Sequence, residues 1–258
     1  MYIDAHCHLN DTAFTQVEAT MSEVKAAGVG IVICSGYDME SSYRAKELAE
    51  KYEEIYFCAG FQPQEVGKYQ EGDIERLRDL VRHEKCIAVG EIGLDYHYPD
   101  NPAKEFQREI FEKQIELAHE EGLPIVIHSR DCAEDMQTVL QENIAKLGHG
   151  GLLHCYSHSA EQSVAFEKLG MYFSFGGTAT FENSRKVVKS VARVSLDRIL
   201  TETDSPYLTP VPKRGTFPNT PANIPYIAAK LAQLRGITEE ELTTAVYQNA
   251  KRLFKKIK

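Results

Sequence analysis

Hydrophobic positions along this chain fall into short unbroken runs, separated by longer stretches in which apolar residues recur every three or four positions. The first pattern predicts strands covered on both faces, and the second predicts amphipathic helices. Strands are read from residue 1 into the Asp4-Ala5-His6-Cys7-His8 run, then at 29–34, 55–60, 86–91, 124–128, 151–154, 171–175 and 198–204. Helices are read between them at 16–27, 39–52, 73–83, 102–120, 133–146, 160–169 and 184–193. Two more, at 225–234 and 239–254, finish the chain, the last with Thr238 as its N-cap. Eight apolar strands alternating with helices in 258 residues favour a closed (β/α)8 TIM barrel over an open doubly wound sheet. No linker or repeat interrupts the pattern, so residues 1–258 read as a single domain. The one long loop, 205–221, is expected to be functional, because a compact domain seldom carries so long a connection idly.

Composition alters this picture little. No apolar run is long enough to span a membrane, and the first residues enter a strand with no basic and apolar leader pattern. Six scattered cysteines without a Cys-x-x-Cys pair suggest buried free thiols in a reducing, cytoplasmic setting. A net charge of −9 argues against a protein that coats nucleic acid by electrostatics alone. It leaves room for an enzyme that grips one or two phosphates locally. The basic tail at 251–258 reads as the solvated end of the last helix. Nothing in the sequence demands more than a monomer.

The chemistry collects where the strands end. His6 and His8 are two apart on a strand and therefore point the same way. Glu91 closes the fourth predicted strand, His128 the fifth, His154 the sixth and Asp204 the eighth. Each has a plainer reading alone: His128 as a cap, His154 as a core histidine, Asp204 as a turn former. Together they occupy the C-terminal rim, where a barrel builds its site. Glu91 follows Ile-Ala-Val-Gly, so it lies near the barrel core and needs a cation or a proton. Six such groups exceed the needs of one tetrahedral zinc and suit two divalent metals. His6, His8 and Asp204 would hold the first, His128 and His154 the second, with Glu91 as the bridge. The mixed donors do not choose among Zn, Mn and Mg. His83, His119 and His149 are read as surface or loop residues, while His97 and His158 lie closer to the rim.

These residues carry a resemblance. Ile3-Asp4-Ala5-His6-Cys7-His8, Val89-Gly90-Glu91-Ile92-Gly93-Leu94-Asp95-Tyr96, Ile127-His128-Ser129-Arg130-Asp131, His154-Cys155-Tyr156-Ser157 and Glu202-Thr203-Asp204-Ser205-Pro206-Tyr207-Leu208 resemble the TatD family of metal-dependent deoxyribonucleases, in the amidohydrolase-like group of barrels. The loop pieces Lys213-Arg214-Gly215 and Asn219-Thr220-Pro221 match as well. The resemblance implies a barrel hydrolase that cuts DNA phosphodiesters with divalent metals, and carries the six ligand roles onto the matching positions. One departure stands out: the family commonly has His-Pro-His after the third strand, and this chain has Gln62-Pro63-Gln64. Glutamine donates a hydrogen bond to a phosphate but cannot carry charge or act as an acid.

The expected activity is therefore hydrolysis of DNA ends or short single strands. Glu91 and Asp204 are the expected catalytic groups, with Asp204 taking the proton of the attacking water. Arg214 and Gln62 are expected at the phosphate; Tyr96 is a candidate to stack on a base, with a tyrosine packed at the barrel rim as its plainer reading. Two alternatives stay open: a metal-dependent hydrolase of amides, lactones or phosphotriesters, and a non-catalytic barrel that uses metal for stability.

Overall fold

The computed structural model describes residues 1–258. Eight parallel strands pair in strict chain order: β1 (Tyr2–Cys7), β2 (Val29–Ser35), β3 (Ile55–Ala59), β4 (Cys86–Asp95), β5 (Ile125–Arg130), β6 (Gly151–Leu153), β7 (Met171–Phe175) and β8 (Ile199–Thr201). Helices α1 (Val17–Ala26), α2 (Met39–Lys51), α3 (Asp73–Val81), α4 (Lys104–Glu120), α5 (Ala133–Glu142), α6 (Ala160–Lys168) and α7 (Arg185–Arg193) alternate with them. Two further helices, α8 (Ile224–Arg235) and α9 (Glu239–Leu253), follow β8. The architecture is a single-domain (β/α)8 TIM barrel, and 71 buried apolar residues form one continuous core. No helix is long and apolar enough to cross a membrane.

Local sequence explains several element ends. Asp38 caps α2 by accepting from the Ser41 amide at 2.8 Å, and Ser41 returns the bond to close a capping box. Thr238 caps α9 in the same manner with Glu241, as its position in the sequence predicts. The basic tail is less solvated than expected. Phe254 and Ile257 are buried, and Lys256 Nζ donates to the Val81 and His83 carbonyls at 3.2 and 3.1 Å, capping the end of α3. All six cysteines are unpaired, and five of them are buried.

Two strands differ from the sequence reading, and both differences shape the site. β4 continues past Glu91 to Asp95. Gly93 permits this: at φ +141°, a Cβ there would lie 2.1 Å from the His128 carbonyl oxygen, so only glycine lets β4 and β5 approach so closely. β8 is shorter than expected and leaves the ladder at Thr201. The barrel is closed against β1 by side-chain and backbone hydrogen bonds together. Thr201 Oγ1 donates to the Ile3 carbonyl at 2.6 Å, and the Thr203 amide donates to Asp4 Oδ1 at 2.9 Å. The Asp204 amide then bonds the His6 carbonyl at 3.0 Å. Asp4 is fully buried in this seam, and burial pushes its carboxyl up to about 8 even though Thr203 donates to it twice.

Candidate metal centre

β1 delivers His6 and His8 to the C-terminal mouth of the barrel on one face, as the strand alternation requires. Their Nε2 atoms lie 3.2 Å apart. Ser35, fully buried at the end of β2, holds both rings. Its carbonyl lies 3.0 Å from His8 Nδ1, and its Oγ lies 3.1 Å from His6 Nδ1. An Nδ1–H donated to the carbonyl leaves the His8 Nε2 lone pair facing inward, the arrangement a metal ligand needs.

Glu91 stands at the centre with only 1% of its surface exposed. Its two oxygens face different partners. Oε2 lies 3.4 Å from both His6 Nε2 and His8 Nε2. Oε1 lies 2.8 Å from His128 Nδ1 and 2.9 Å from His154 Nε2. Asp204 closes the first side, with Oδ1 at 3.8 and 3.6 Å from His6 and His8 Nε2. The six side chains that the sequence places at strand ends are thus gathered in one cavity. His6 belongs to both sides, since its ring stacks on His154 with centroids 3.8 Å apart.

The Asp204 backbone is in the left-handed region at φ +52°. Aspartate tolerates that conformation better than most residues, and the His6 carbonyl bond holds it there.

The electrostatics follow from crowding. Burial opposes ionisation of Glu91, but the charge of His154 and hydrogen bonds from His128 and His154 hold its carboxyl well below the ordinary range. Burial likewise opposes protonation of His8 and His128, yet Asp204 raises the first to about 9 and Asp95, with Glu91, the second to about 10. Burial and the neighbouring His154 push His6 down to about 4. The cavity therefore holds anionic carboxylates compensated only by imidazoles. It also contains three buried polar atoms with no hydrogen-bond partner: Glu91 Oε2, His154 Nδ1 and Glu202 Oε1. Two overlapping groups, His6–Glu91–His154 and His6–His8–Asp204, have ligand atoms within 4.8 Å of one another. Orphaned carboxylate oxygen beside convergent imidazole nitrogen is a donor set that fits divalent cations.

Two residues beyond the six belong to this network. Asp95, fully buried, accepts from His128 Nε2 at 3.0 Å through Oδ2 and orients that ring. Glu202, also fully buried, accepts from Ser174 Oγ and lies 3.8 Å from His154 Nδ1. Strand alternation carried a signal for both: Asp95 is four residues after Glu91, and Glu202 two before Asp204, each on the inward face.

The expected substrate contacts are placed differently. Gln62 is half-buried and its side chain makes no hydrogen bond; its amide bonds the Tyr37 carbonyl at 3.0 Å. Its neighbour Gln64 reaches the site instead, donating from Nε2 to Asp95 Oδ2 at 2.9 Å. Tyr96 turns away from the mouth. It follows inward-facing Asp95, so its ring packs on the core, with Lys104 Nζ 4.1 Å from its centre. That placement favours the packed rim tyrosine over the base-stacking one. Arg214 is exposed on the long loop, its guanidinium 4.1 Å above the Phe181 ring. His158 is buried against Ser129 Oγ at 2.7 Å, and exposed His97 pairs with Asp131 at 2.7 Å.

Comparison with known proteins identifies the family and the fold. The family model described as TatD related DNase matches residues 3–255. The uncharacterised metal-dependent hydrolase YabD of Bacillus subtilis strain 168 is 41% identical, over 99% of each chain. The crystal structure of YJJV, a TatD homologue from Escherichia coli K12, superposes with a TM-score of 0.93 at 32% identity over 98% of each chain. An Escherichia coli phosphotriesterase homology protein, crystallised with phosphate in its active site, shares the fold at 16% identity and a TM-score of 0.68, over 98% of each chain. A family model matched almost end to end, and a relative this similar over its whole length, show that the chain belongs to the TatD family of metal-dependent hydrolases.

Proposed function

We propose that this protein is a dinuclear phosphodiesterase that cleaves DNA at its ends or in short single strands. One observation carries the reading: the two oxygens of Glu91 face different nitrogens, Oε2 those of His6 and His8 and Oε1 those of His128 and His154, as a carboxylate shared by two cations would. His6, His8 and Asp204 would hold one divalent cation, and His128 and His154 the other, with Zn, Mn and Mg as the candidates. When bound, such a pair supplies an acidified water and positive charge for the attacking and leaving oxygens of a displacement.

The chain's own residues do the remainder. Asp204 offers Oδ1 toward the histidines, while its Oδ2 makes no hydrogen bond and is free to take the proton of the attacking water. Asp95 and Ser35 fix the rings of His128, His6 and His8, so the ligands are set before substrate arrives. Arg214, whose stacked guanidinium leaves its N–H edge open, pairs with a non-bridging phosphate oxygen. The description of the matching family as a DNase supports this choice of bond.

The test joins metal analysis to a substrate panel. Purified protein is expected to carry about two metals per chain when loaded with Zn or Mn, and to digest single-stranded oligonucleotides. Loss of that digestion with chelator, and its return with metal, is expected. Hydrolysis of cyclic amides, lactones or phosphotriesters with no action on any oligonucleotide would overturn the choice of bond. A fold lost with chelator, and no turnover of anything beforehand, would support a scaffold.

A further inference from the structure

Eight large hydrophobic side chains are exposed on this protein, and they are unevenly placed. Tyr207, Val211 and Phe217 lie on the loop between β8 and α8, and Tyr226 follows on α8. Phe217 is 65% exposed and Tyr207 53%. Their ring centres are 6.5 Å apart and the planes are tilted by 45°. An apolar patch of this kind beside a polar site marks a surface that meets a ligand.

The patch is next to the metal centre and held firmly. The Tyr207 amide bonds the Asp204 carbonyl at 3.0 Å, so the ring is one turn from a candidate ligand. Asn219, fully buried, donates from Nδ2 to the Tyr207 carbonyl at 2.6 Å and the Thr203 carbonyl at 3.1 Å. Its own amide bonds the Pro206 carbonyl at 2.9 Å, and Thr209 Oγ1 ties the loop to the Thr216 carbonyl at 2.6 Å. Rings presented on fixed backbone lose little freedom when a ligand binds.

Charge selects the ligand. Residues 205–221 contain Lys213 and Arg214 and no acidic residue, in a chain of net charge −9. Both cations rest on aromatic rings, Lys213 over Tyr226 at 5.3 Å and Arg214 over Phe181 at 4.1 Å. Exposed aromatic rings flanked by cations suit a planar group carried on a polyanionic backbone. A duplex hides its flat faces in the stack, and an acidic peptide carries its charges on side chains rather than along its backbone. We infer that Tyr207 and Phe217 form a stacking platform for an unpaired nucleobase, with Arg214 and Lys213 beside its phosphate. The inference rests on the phosphodiesterase reading and narrows its substrate to strands with unpaired bases near the scissile bond.

Fluorescence anisotropy separates the two claims. Metal-loaded protein is titrated against two fluorescein-labelled strands with hydrolysis-resistant phosphorothioate linkages: oligothymidylate, and an abasic strand of equal length and charge. Oligothymidylate is expected to bind about tenfold tighter, the usual scale for one stacked base. Phe217→Ala is expected to erase that preference and leave the abasic affinity unchanged, while Phe217→Trp restores it. Equal affinity of the native protein for the two strands overturns the platform, as does a Phe217→Ala loss of equal size on both. Cleavage of unmodified strands is run in parallel. Failure to cleave any of them defeats the phosphodiesterase reading, whatever the anisotropy shows.

Discussion

Replacing Asp95 with asparagine exchanges one oxygen for nitrogen and leaves the volume almost unchanged. In the native site Oδ2 accepts from His128 Nε2 at 3.0 Å and from Gln64 Nε2 at 2.9 Å, while Oδ1 accepts from the His97 amide at 2.8 Å. All three partners are donors, so the new NH2 must face a donor whichever way the amide turns. Facing His97, it loses one bond; facing His128, it loses two and releases the ring. In both cases the charge behind His128 is gone. A carboxylate that orients a metal-binding histidine contributes about 10–100-fold in metal affinity, which is about 1.4–2.7 kcal/mol. Asp95 touches His128 but not His6, His8 or Asp204, so the loss is expected in one of two binding steps. Stepwise zinc titration of metal-free protein by calorimetry reads both steps. One is expected to weaken by that factor and the other to stay within about twofold. Gln64→Ala removes the second donor to the same oxygen, and a smaller loss in the same step is expected. Equal weakening of both steps, or of neither, would refute the division of the site into halves and the role of Asp95 in fixing one of them.

Three further outcomes follow from the geometry. Glu91→Gln is expected to abolish turnover and lower metal content below two per chain, because the bridging charge is lost; an active variant with a full metal complement would end the bridging assignment. Arg214→Ala is expected to raise KM for phosphodiesters by about three- to tenfold, as for an exposed charged hydrogen bond, with metal content unchanged; an unaltered KM removes Arg214 from the site. Asp38 is an N-cap whose Oδ2 accepts from Lys68 Nζ at 2.8 Å. Burial opposes its ionisation, but Lys68 and Ser41 hold its carboxyl below the ordinary value. A depressed carboxyl stabilises the fold above its unfolded pKa, and that contribution fades as pH falls through the folded value. Asparagine keeps the cap, and Lys68 is largely exposed, so Asp38→Asn is expected to cost under about 1 kcal/mol at pH 7 in urea unfolding. The difference should fade as pH falls through the depressed folded pKa of Asp38, and a difference that persisted once the carboxyl is protonated would show that packing, not charge, is responsible.

The barrel was legible because burial on both faces writes continuous apolar runs, and each predicted strand is found in the sheet. Its strand ends were legible only where local sequence decides them. The apolar run ends β4 at Glu91, whereas the strand runs on to Asp95. It continues because the neighbouring strand needs a residue without a side chain at Gly93, a requirement visible only across the pair. The sequence reading carries β8 through Asp204, three residues beyond its observed end at Thr201. The ladder ends earlier because the Asp4 carboxylate takes the Thr203 amide that a neighbouring carbonyl would have taken.

The same distinction governs the site. Histidine and carboxylate at successive strand ends are a pattern in one dimension, and the fold brings them together without further instruction. Asp95 and Glu202 share the residue types and the alternation, but their place depends on the rotamers of His128 and His154, which no spacing encodes. Counting along β4 would have separated Asp95 from Tyr96: Glu91, Gly93 and Asp95 share one face, and Tyr96 falls on the other. The Gln62-Pro63-Gln64 run shows the limit of reasoning by type alone. Either glutamine can donate to a phosphate, but only Gln64 reaches the network, and it bonds Asp95 there. In this chain the position of the family's second histidine therefore acts on His128 through a carboxylate, and exchanging it for an imidazole would alter the donor that Asp95 shares between ring and amide. Specificity written on exposed loop residues such as Phe217 is the hardest to read from sequence, since it leaves no periodic burial behind and becomes visible only as apolar surface that the fold declines to cover.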